Sequence, residues 1–533
     1  MMTVREVRRI RGHSYLYENH FVWDKIRKRS RREWSRYLGP CDAKGRLRAQ
    51  PKVKLEGVHS AYPVGPLAAF YAQARAARIS EAAEEVLGLT PGEARLLLAM
   101  TLNQLTGRRP LDEIPAWIDR TPLRRWEPAL PASIDRGDIE NVLGKLCRRV
   151  KDDGFDNLGL LLQARLTQEG PWERPGAFYD VTKVGYTGTH CPVAQFGLDS
   201  DHEISRVIGF GLVVSRVRHR PMLCRLLPGA TNDVRTVEET LSILQEMSGT
   251  GRMSFEGMAL SMDRGMVSVP NLKRVVQAGY HQVGMVKGWP KGAWTYAGRW
   301  PREALQKPEF TLCREGGAPL YGRAFPGELY EEKIRLRLVL MEDPARKAEE
   351  RRARDLALEE WKGRTSDARR RELTRALKDV LVEAKGRRGW KVDEGKVEEQ
   401  RMRDGRFLLF STDPEMGARE IFDLWSQRGA IESVFRTSKG ELMLGPPRMR
   451  RPDRLEAYAT VVYLALLLWS DAEWKLRQKF PKESLGSVVR TLGDVYWVRL
   501  GTKEKTRDWA TVLSDEQKEL MGALGGLQYL PHP

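Results

Sequence analysis

Cysteine is scarce in this 533-residue chain, with five residues at positions 41, 147, 191, 224 and 313 and no C-x-x-C pair. That scatter offers neither a zinc knuckle nor a disulfide framework, and a low, odd count suits a reducing compartment. Long hydrophobic runs are also missing. The longest, Val461 to Trp469, falls well short of the roughly 20 apolar residues that span a bilayer, so it reads as a buried helix and no membrane partner is expected. His190, His202, His219 and His281 share no ligand spacing. There is no recognisable secretory leader, no internal repeat and no low-complexity linker of more than a few residues. What remains is a chain with 41% hydrophobic residues, enough for large cores. Its length suggests about three or four domains.

Charge is abundant and one-sided. The formal net charge is +19, and residues 1–54 alone hold 16 Lys and Arg against 5 Asp and Glu. Such an excess implies a polyanionic partner, most simply DNA or RNA, bound with a strong salt dependence. The densest run contains Lys25, Arg27, Lys28, Arg29, Arg31 and Arg32. An Arg-rich organellar presequence is disfavoured because Glu6, Glu18, Asp24 and Glu33 interrupt it.

Patterning divides the chain. Residues 1–60 read as short strands with basic turns, and 64–165 as Ala- and Leu-rich helices. From Gly176 the pattern predicts strands at 177–182, 207–215 and 222–227, a helix at 234–247, a strand at 258–263, a helix near 271–278 and a strand at 281–286. Residues 288–400 interrupt this alternation with Trp289, Trp294, Trp300, an alternating strand at 334–338 and a charged helical stretch. In that stretch Leu373, Leu377, Val380, Leu381 and Ala384 make one apolar stripe. A strand at 406–411 and a long helix at 454–479 follow.

Between them lies the segment 424–439. Wound as one helix at about 100° per residue, it brings Trp425, Arg428, Glu432 and Lys439 within an arc of about 60°. A carboxylate beside cations on one face can hold a divalent metal and phosphate oxygens together. The plain alternative is a solvated, mixed-charge helix face. Two aspartates on predicted strands, Asp180 and Asp263, favour the first view, because an ionised Asp among apolar strand residues is costly without a cation. For Asp263 a local ion pair with Arg264 is the competing explanation. Asp233 reads as an N-cap. Placed on the central and fourth strands of an RNase H-like mixed sheet, with Glu432 on a helix packed across it, the three acids would converge. Three clustered carboxylates need divalent neutralisation, and two Mg²⁺ ions about 4 Å apart would serve phosphodiester hydrolysis and strand transfer alike.

These motifs resemble those of DDE-type insertion-sequence transposases with a Y-R-E-K signature, the bacterial and archaeal cut-and-paste class. Trp425, Arg428, Glu432 and Lys439 match its Tyr-x2-Arg-x3-Glu-x6-Lys spacing, with Trp425 in place of the tyrosine. Asp180-Val181-Thr182 is similar to the first acidic block, and Asp263-Arg264-Gly265-Met266, followed by Ser268 and Asn271, to the second. The turn Pro228 to Asp233 and the stretch Asp404 to Asp413 also have counterparts.

The resemblance implies an α/β, RNase H-like catalytic domain in two parts (171–287 and 404–450), interrupted by a β-rich plus helical insertion (288–403). Before it come a basic β-rich region (1–60) and a helical DNA-binding domain (61–170); after it, a helical domain (451–533). It implies Asp180, Asp263 and Glu432 as ligands of two Mg²⁺ ions, with Mn²⁺ as the substitute. Arg428 and Lys439 would contact phosphates. Arg436, Arg264, Trp425 and the 25–32 cluster would belong to the DNA-binding surface, and Trp289, Trp294 or Trp300 would stack on a base. The implied partners are double-stranded DNA, both transposon ends and target, and a second copy in a paired-end homodimer. The expected location is the prokaryotic cytoplasm, on the nucleoid when DNA-bound. Two other readings compete: a catalytically silent, recruited DNA-binding protein and a stand-alone nuclease on the same fold. Retention of all three acids disfavours the former; the large N-terminal region disfavours the latter.

Overall fold

The computed structural model describes the chain except residues 1, 11–12, 25–27, 43, 47–56, 151–161, 163–175, 189, 200–202, 250–254, 291–292, 314–317, 364–365, 384–389, 446, 448, 502–505 and 532–533. Two compact units result. One comprises Met1–Ala61, Trp497–Thr511 and Pro531–Pro533; the other comprises Tyr62–Tyr496 and Val512–Leu530.

In the smaller unit, β1 (Met2–Ile10), β2 (His13–Asp24) and β3 (Arg29–Pro40) form an antiparallel sheet in that order. The strands are longer than the short runs expected at 14–17 and 34–38. Aromatic residues at alternate positions of β2 (Tyr15, Tyr17, Phe21, Trp23) suit a pleated surface. A second sheet joins β4 (Gly57–Pro63) to a hairpin of Tyr496–Gly501 and Thr506–Ala510. The hairpin lies in the stretch 451–533 that the resemblance implied to be a helical domain. Tyr496, Trp497, Val498, Thr506 and Trp509 are β-branched or aromatic residues that favour strands, and Trp497 is buried while Tyr496 and Trp509 are exposed.

The larger unit is built on a ten-stranded sheet. Its heart is β5 (Gly176–Gly185), with antiparallel β7 (Ile204–Ser215) on one side and parallel β9 (Ala259–Met262) on the other. β8 (Pro221–Pro228) and the short β6 (Gln195–Leu198) pair with β7, and β10 (His281–Met285) runs parallel to β9. The order β8-β7-β5-β9-β10 is therefore third, second, first, fourth, fifth in sequence, the RNase H-like arrangement. The helices Asp233–Gly249 and Val269–Gln277 make the crossovers. Ala177, Tyr179, Val237, Leu241, Leu244 and Met262 bury the first helix against one sheet face. The turn entering that helix needs Gly229, since a Cβ there would lie 1.9 Å from the Val207 carbonyl oxygen.

The segment expected as an insertion extends this same sheet. β11 (Thr311–Cys313), β12 (Pro319–Leu329) and β13 (Ile334–Glu342) are antiparallel neighbours. A small hairpin, β14 (Leu381–Glu383) and β15 (Trp390–Val392), follows, and β16 (Arg406–Ser411) pairs with both β13 and β10. Of the apolar stripe, Leu373, Leu377, Val380 and Leu381 are buried with Leu358, Trp361 and Val397, but the helix ends at Ala376 and Leu381 begins a strand; Ala384 lies outside the described residues.

Helices Gly65–Ala77, Pro91–Leu105 and Arg136–Val150 pack on the long helix Pro452–Lys479, which also lies against β8. The two regions expected as separate helical domains thus share a core, with Phe70 stacked on Trp469 at 5.6 Å. Among the described residues Pro452–Lys479 alone is long and apolar enough to cross a membrane, but 94% of its most apolar stretch is buried inside the protein.

Candidate active site

The register of β5 and β9 fixes two of the acids. Tyr179 is aligned with Met262 across the parallel pair, so Asp180 and Asp263 stand one step beyond it on adjacent strands. Neighbouring strands are about 4.8 Å apart. Side chains alternate: Ala177, Tyr179, Leu260 and Met262 face the helix Asp233–Gly249, so Asp180 and the residue after Met262 face the other side. On that side the helix Gly429–Lys439 packs against β5. Topology therefore brings the bearers of Asp180, Asp263 and Glu432 together.

Asp263 closes its own turn. Its Oδ2 accepts from the Gly265 N–H at 3.0 Å, and Oδ1 accepts from Arg428 Nη1 at 2.5 Å. Burial pushes its carboxyl up, but these hydrogen bonds and the guanidinium charge outweigh burial and hold it below the usual aspartate value. Arg428 Nη2 also lies 3.8 Å from Glu432 Oε1. Asp180 Oδ1 accepts from the Val181 N–H at 2.8 Å. Among the described residues, no three acidic, histidine or cysteine side chains are gathered closely enough to share an ion. Arg428 thus reaches both Asp263 and Glu432.

The expectation of one helix over 424–439 is corrected. Helix Ala418–Ser426 ends, and Gly429–Lys439 begins after the two-residue step Gln427–Arg428; Arg428, and Ala430 and Ile431 in the first turn beyond it, donate to carbonyls three residues back. Trp425 thus leaves the common face. It packs against Phe407 and Phe422, with ring centroids at 5.5 and 6.1 Å, on the core around Leu409 and Leu424. Glu432 and Arg436 are exposed, as is Arg264. Lys439 lines a cavity of about 690 Å³ together with Arg108, Arg109, Arg136 and Tyr458. The sequence reading missed those arginines, which the Thr106-Gly107-Arg108-Arg109 break after a helix alone could have flagged.

The motif residues Ser268 and Asn271 are scaffolding. Ser268 caps the helix Val269–Gln277, and buried Asn271 donates to the carbonyls of Val234 and Met266 at 3.0 and 2.9 Å, fastening the Asp263 turn to its neighbour. Of the tryptophans, Trp289 and Trp300 pack on the core around Phe325 and Leu338, while Trp294 is 50% exposed. In the basic cluster, Lys28, Arg29, Arg31 and Arg32 are exposed; Lys25 and Arg27 lie outside the described residues.

A family model described as "Transposase DDE domain" matches residues 212–468, which include Asp263, Arg428, Glu432 and Lys439. Residues 212–468 of the chain form a transposase DDE domain. Asp180, upstream of the matched span, reaches the site through β5 of the same sheet. No curated protein matches the chain. Among solved structures, the piggyBac transposase synaptic complex with hairpin DNA aligns over 80% of this chain and 79% of its own, at 12% identity and a TM-score of 0.36. Carboxylate oxygens such as those of Asp180, Asp263 and Glu432 are of the hard type that Mg²⁺ and Mn²⁺ take.

Proposed function

We propose that this DDE transposase binds the terminal inverted repeats of an insertion sequence and catalyses metal-dependent strand cleavage and strand transfer. The observation that carries this reading is the register Tyr179–Met262, which sets Asp180 on β5 beside Asp263 at the end of β9, with the Glu432 helix packed against β5. Asp180, Asp263 and Glu432 would hold two Mg²⁺ ions. When bound, such ions activate the attacking oxygen and stabilise the leaving one. Arg428 holds Asp263 ionised and ready as a ligand, and presents its remaining donors towards phosphate oxygens. Lys439 and Arg436 continue the cationic track along the helix. The basic N-terminal region grips the DNA, and two copies pair the two ends, because joining requires both in one assembly. The chain would act in the cytoplasm, on the nucleoid.

The test uses the full chain and duplexes carrying the repeats read from DNA flanking its gene. Asp180→Asn, Asp263→Asn and Glu432→Gln should each abolish cleavage in Mg²⁺ while duplex binding persists. Near wild-type cleavage by any one of them would remove that residue from the ligand set.

A further inference from the structure

The N-terminal sheet has two chemically different faces, and a β-bulge sorts the arginines between them. Strict alternation along β3 would place Arg29 and Arg31 on one side, and Arg32, Trp34 and Arg36 on the other. The observed pairing differs. Arg31 faces Val22 and Arg32 faces Phe21, but Glu33 is then skipped, so Trp34 faces His20 and Arg36 faces Glu18. An extra residue on one strand shifts its phase by one and moves every later side chain to the opposite face. Trp34 and Arg36 thereby join Arg29 and Arg31. The rings agree: Trp34 stacks on His20 at 5.3 Å and 8°. On β1, Arg5 faces Glu18 and Arg9 faces Ser14, which puts both on the same side.

The opposite face satisfies itself. Tyr37 contacts Tyr15 and Tyr17, with centroids at 6.0 and 5.4 Å, and Arg8 lies over Tyr17 at 4.7 Å. Arg8 also bonds Glu6 at 3.0 Å and Asn19 at 3.3 Å, while Asn19 and Glu6 bond each other. Arg32 belongs to this face and acts on Glu6.

The arginine face holds five arginines against two acids in its register, Glu18 opposite Arg36 and Asp24 opposite Arg29. Arg5 is bridged to Glu18 at 3.2 Å, but among the described residues Arg9, Arg29, Arg31 and Arg36 form no ion pair. Like charges gathered on one sheet face repel, so this arrangement opposes stability unless a polyanion covers it.

We propose that the face carrying Arg5, Arg9, Arg29, Arg31 and Arg36 lies against the phosphate backbone of duplex DNA, and that of the neighbours Arg29, Arg31 and Arg32 only the first two contribute. This rests on the DNA-binding reading above and adds which side of the sheet makes the contact. Arg31 and Arg32 are neighbours in sequence, alike in charge and both exposed, yet they sit on opposite faces.

The experiment measures the affinity of the full chain for a duplex across a salt series by fluorescence anisotropy. Its variants are Arg31→Gln, Arg32→Gln, the pair Arg31→Gln with Arg36→Gln, and the pair Arg8→Gln with Arg32→Gln. Circular dichroism verifies that each remains folded. Removing one arginine–phosphate ion pair should flatten the slope of log K against log salt by about 0.9. The Arg31/Arg36 pair should therefore lower the slope by about 1.8, with the Arg8/Arg32 pair at the wild-type slope. Equal losses from the two pairs, or the reverse order, would overturn the assignment. A normal wild-type slope unmoved by every variant would overturn it too, while leaving DNA binding in place. A wild-type chain without salt-dependent DNA binding would instead remove the transposase reading beneath it.

Discussion

Arg428 donates to Asp263 Oδ1 at 2.5 Å across 165 residues of sequence, and its second terminal nitrogen stands 3.8 Å from Glu432. One guanidinium thus links the second acidic strand to the acidic helix. It holds the Asp263 carboxyl below its ordinary range, against the upward push of burial and together with the Gly265 N–H. A depressed folded-state value favours the ionised form above the unfolded value, and that advantage is lost as pH falls through the folded one.

Arg428→Gln should therefore raise the Asp263 pKa and move the acid limb of the cleavage profile to higher pH. The sign follows from the pair: removing the cation leaves burial as the larger remaining influence. Cleavage rates between pH 4 and pH 8 measure it, and Arg428→Lys should restore part of the wild-type limb. An unshifted limb in the glutamine variant would mean that the guanidinium does not govern Asp263.

The tryptophans separate by burial. Trp425→Phe keeps an apolar ring against Phe407 and Phe422, so cleavage should remain within a few-fold of wild type; Trp425→Ala should unfold the chain more readily, by about 3 kcal/mol. Trp294, 50% exposed, should tolerate alanine with a stability change within about 0.5 kcal/mol. If its ring stacks on a base, Trp294→Ala should lower cleavage of the repeat ends without lowering the unfolding midpoint. Unchanged cleavage would leave it a surface residue. Trp300→Ala should act through stability instead, because its ring meets Phe325 edge-on at 5.4 Å.

Much of the sheet was legible because its strands obey local rules. β5, β7, β8, β9, β10 and β16 each appear within a few residues of where apolar runs and turn residues place them, and the two crossover helices do likewise. β12 did not, because Gly322, Pro326 and Gly327 read as loop residues. The two glycines are there for space: Cβ atoms would meet Leu312 and Leu338 at 2.5 Å. Such a constraint comes from neighbouring strands and leaves no local pattern. The break at Gln427–Arg428 was hidden for a similar reason. Both flanking helices are amphipathic, and a step of three-residue-back hydrogen bonds costs too little to mark the sequence. Arg428 itself was legible as a site residue, but its carboxylate partner was not, since only the fold brings it near.

The segment bearing Trp294 depends on a buried charge. Glu342 is fully buried, and its Oε2 accepts from Arg406 Nε at 2.7 Å while Oε1 accepts from Arg302 Nη1. The same two arginines donate onward. Arg406 reaches the carbonyls of Ala297 and Trp300, and Arg302 those of Arg401, Met402 and Asp404. One carboxylate on β13 thus anchors the turn at 293–300 and the end of helix Glu394–Arg403. Glu342→Gln keeps the shape but leaves two guanidinium groups without their counter-charge. Breaking one side of a buried pair costs about 3–5 kcal/mol, and the loss should appear as a lower denaturant midpoint for the larger unit. Glu342→Asp, which retains the charge but shortens the reach, should recover part of it. A Gln variant as stable as wild type would show that the carbonyls alone suffice to hold Arg302 and Arg406.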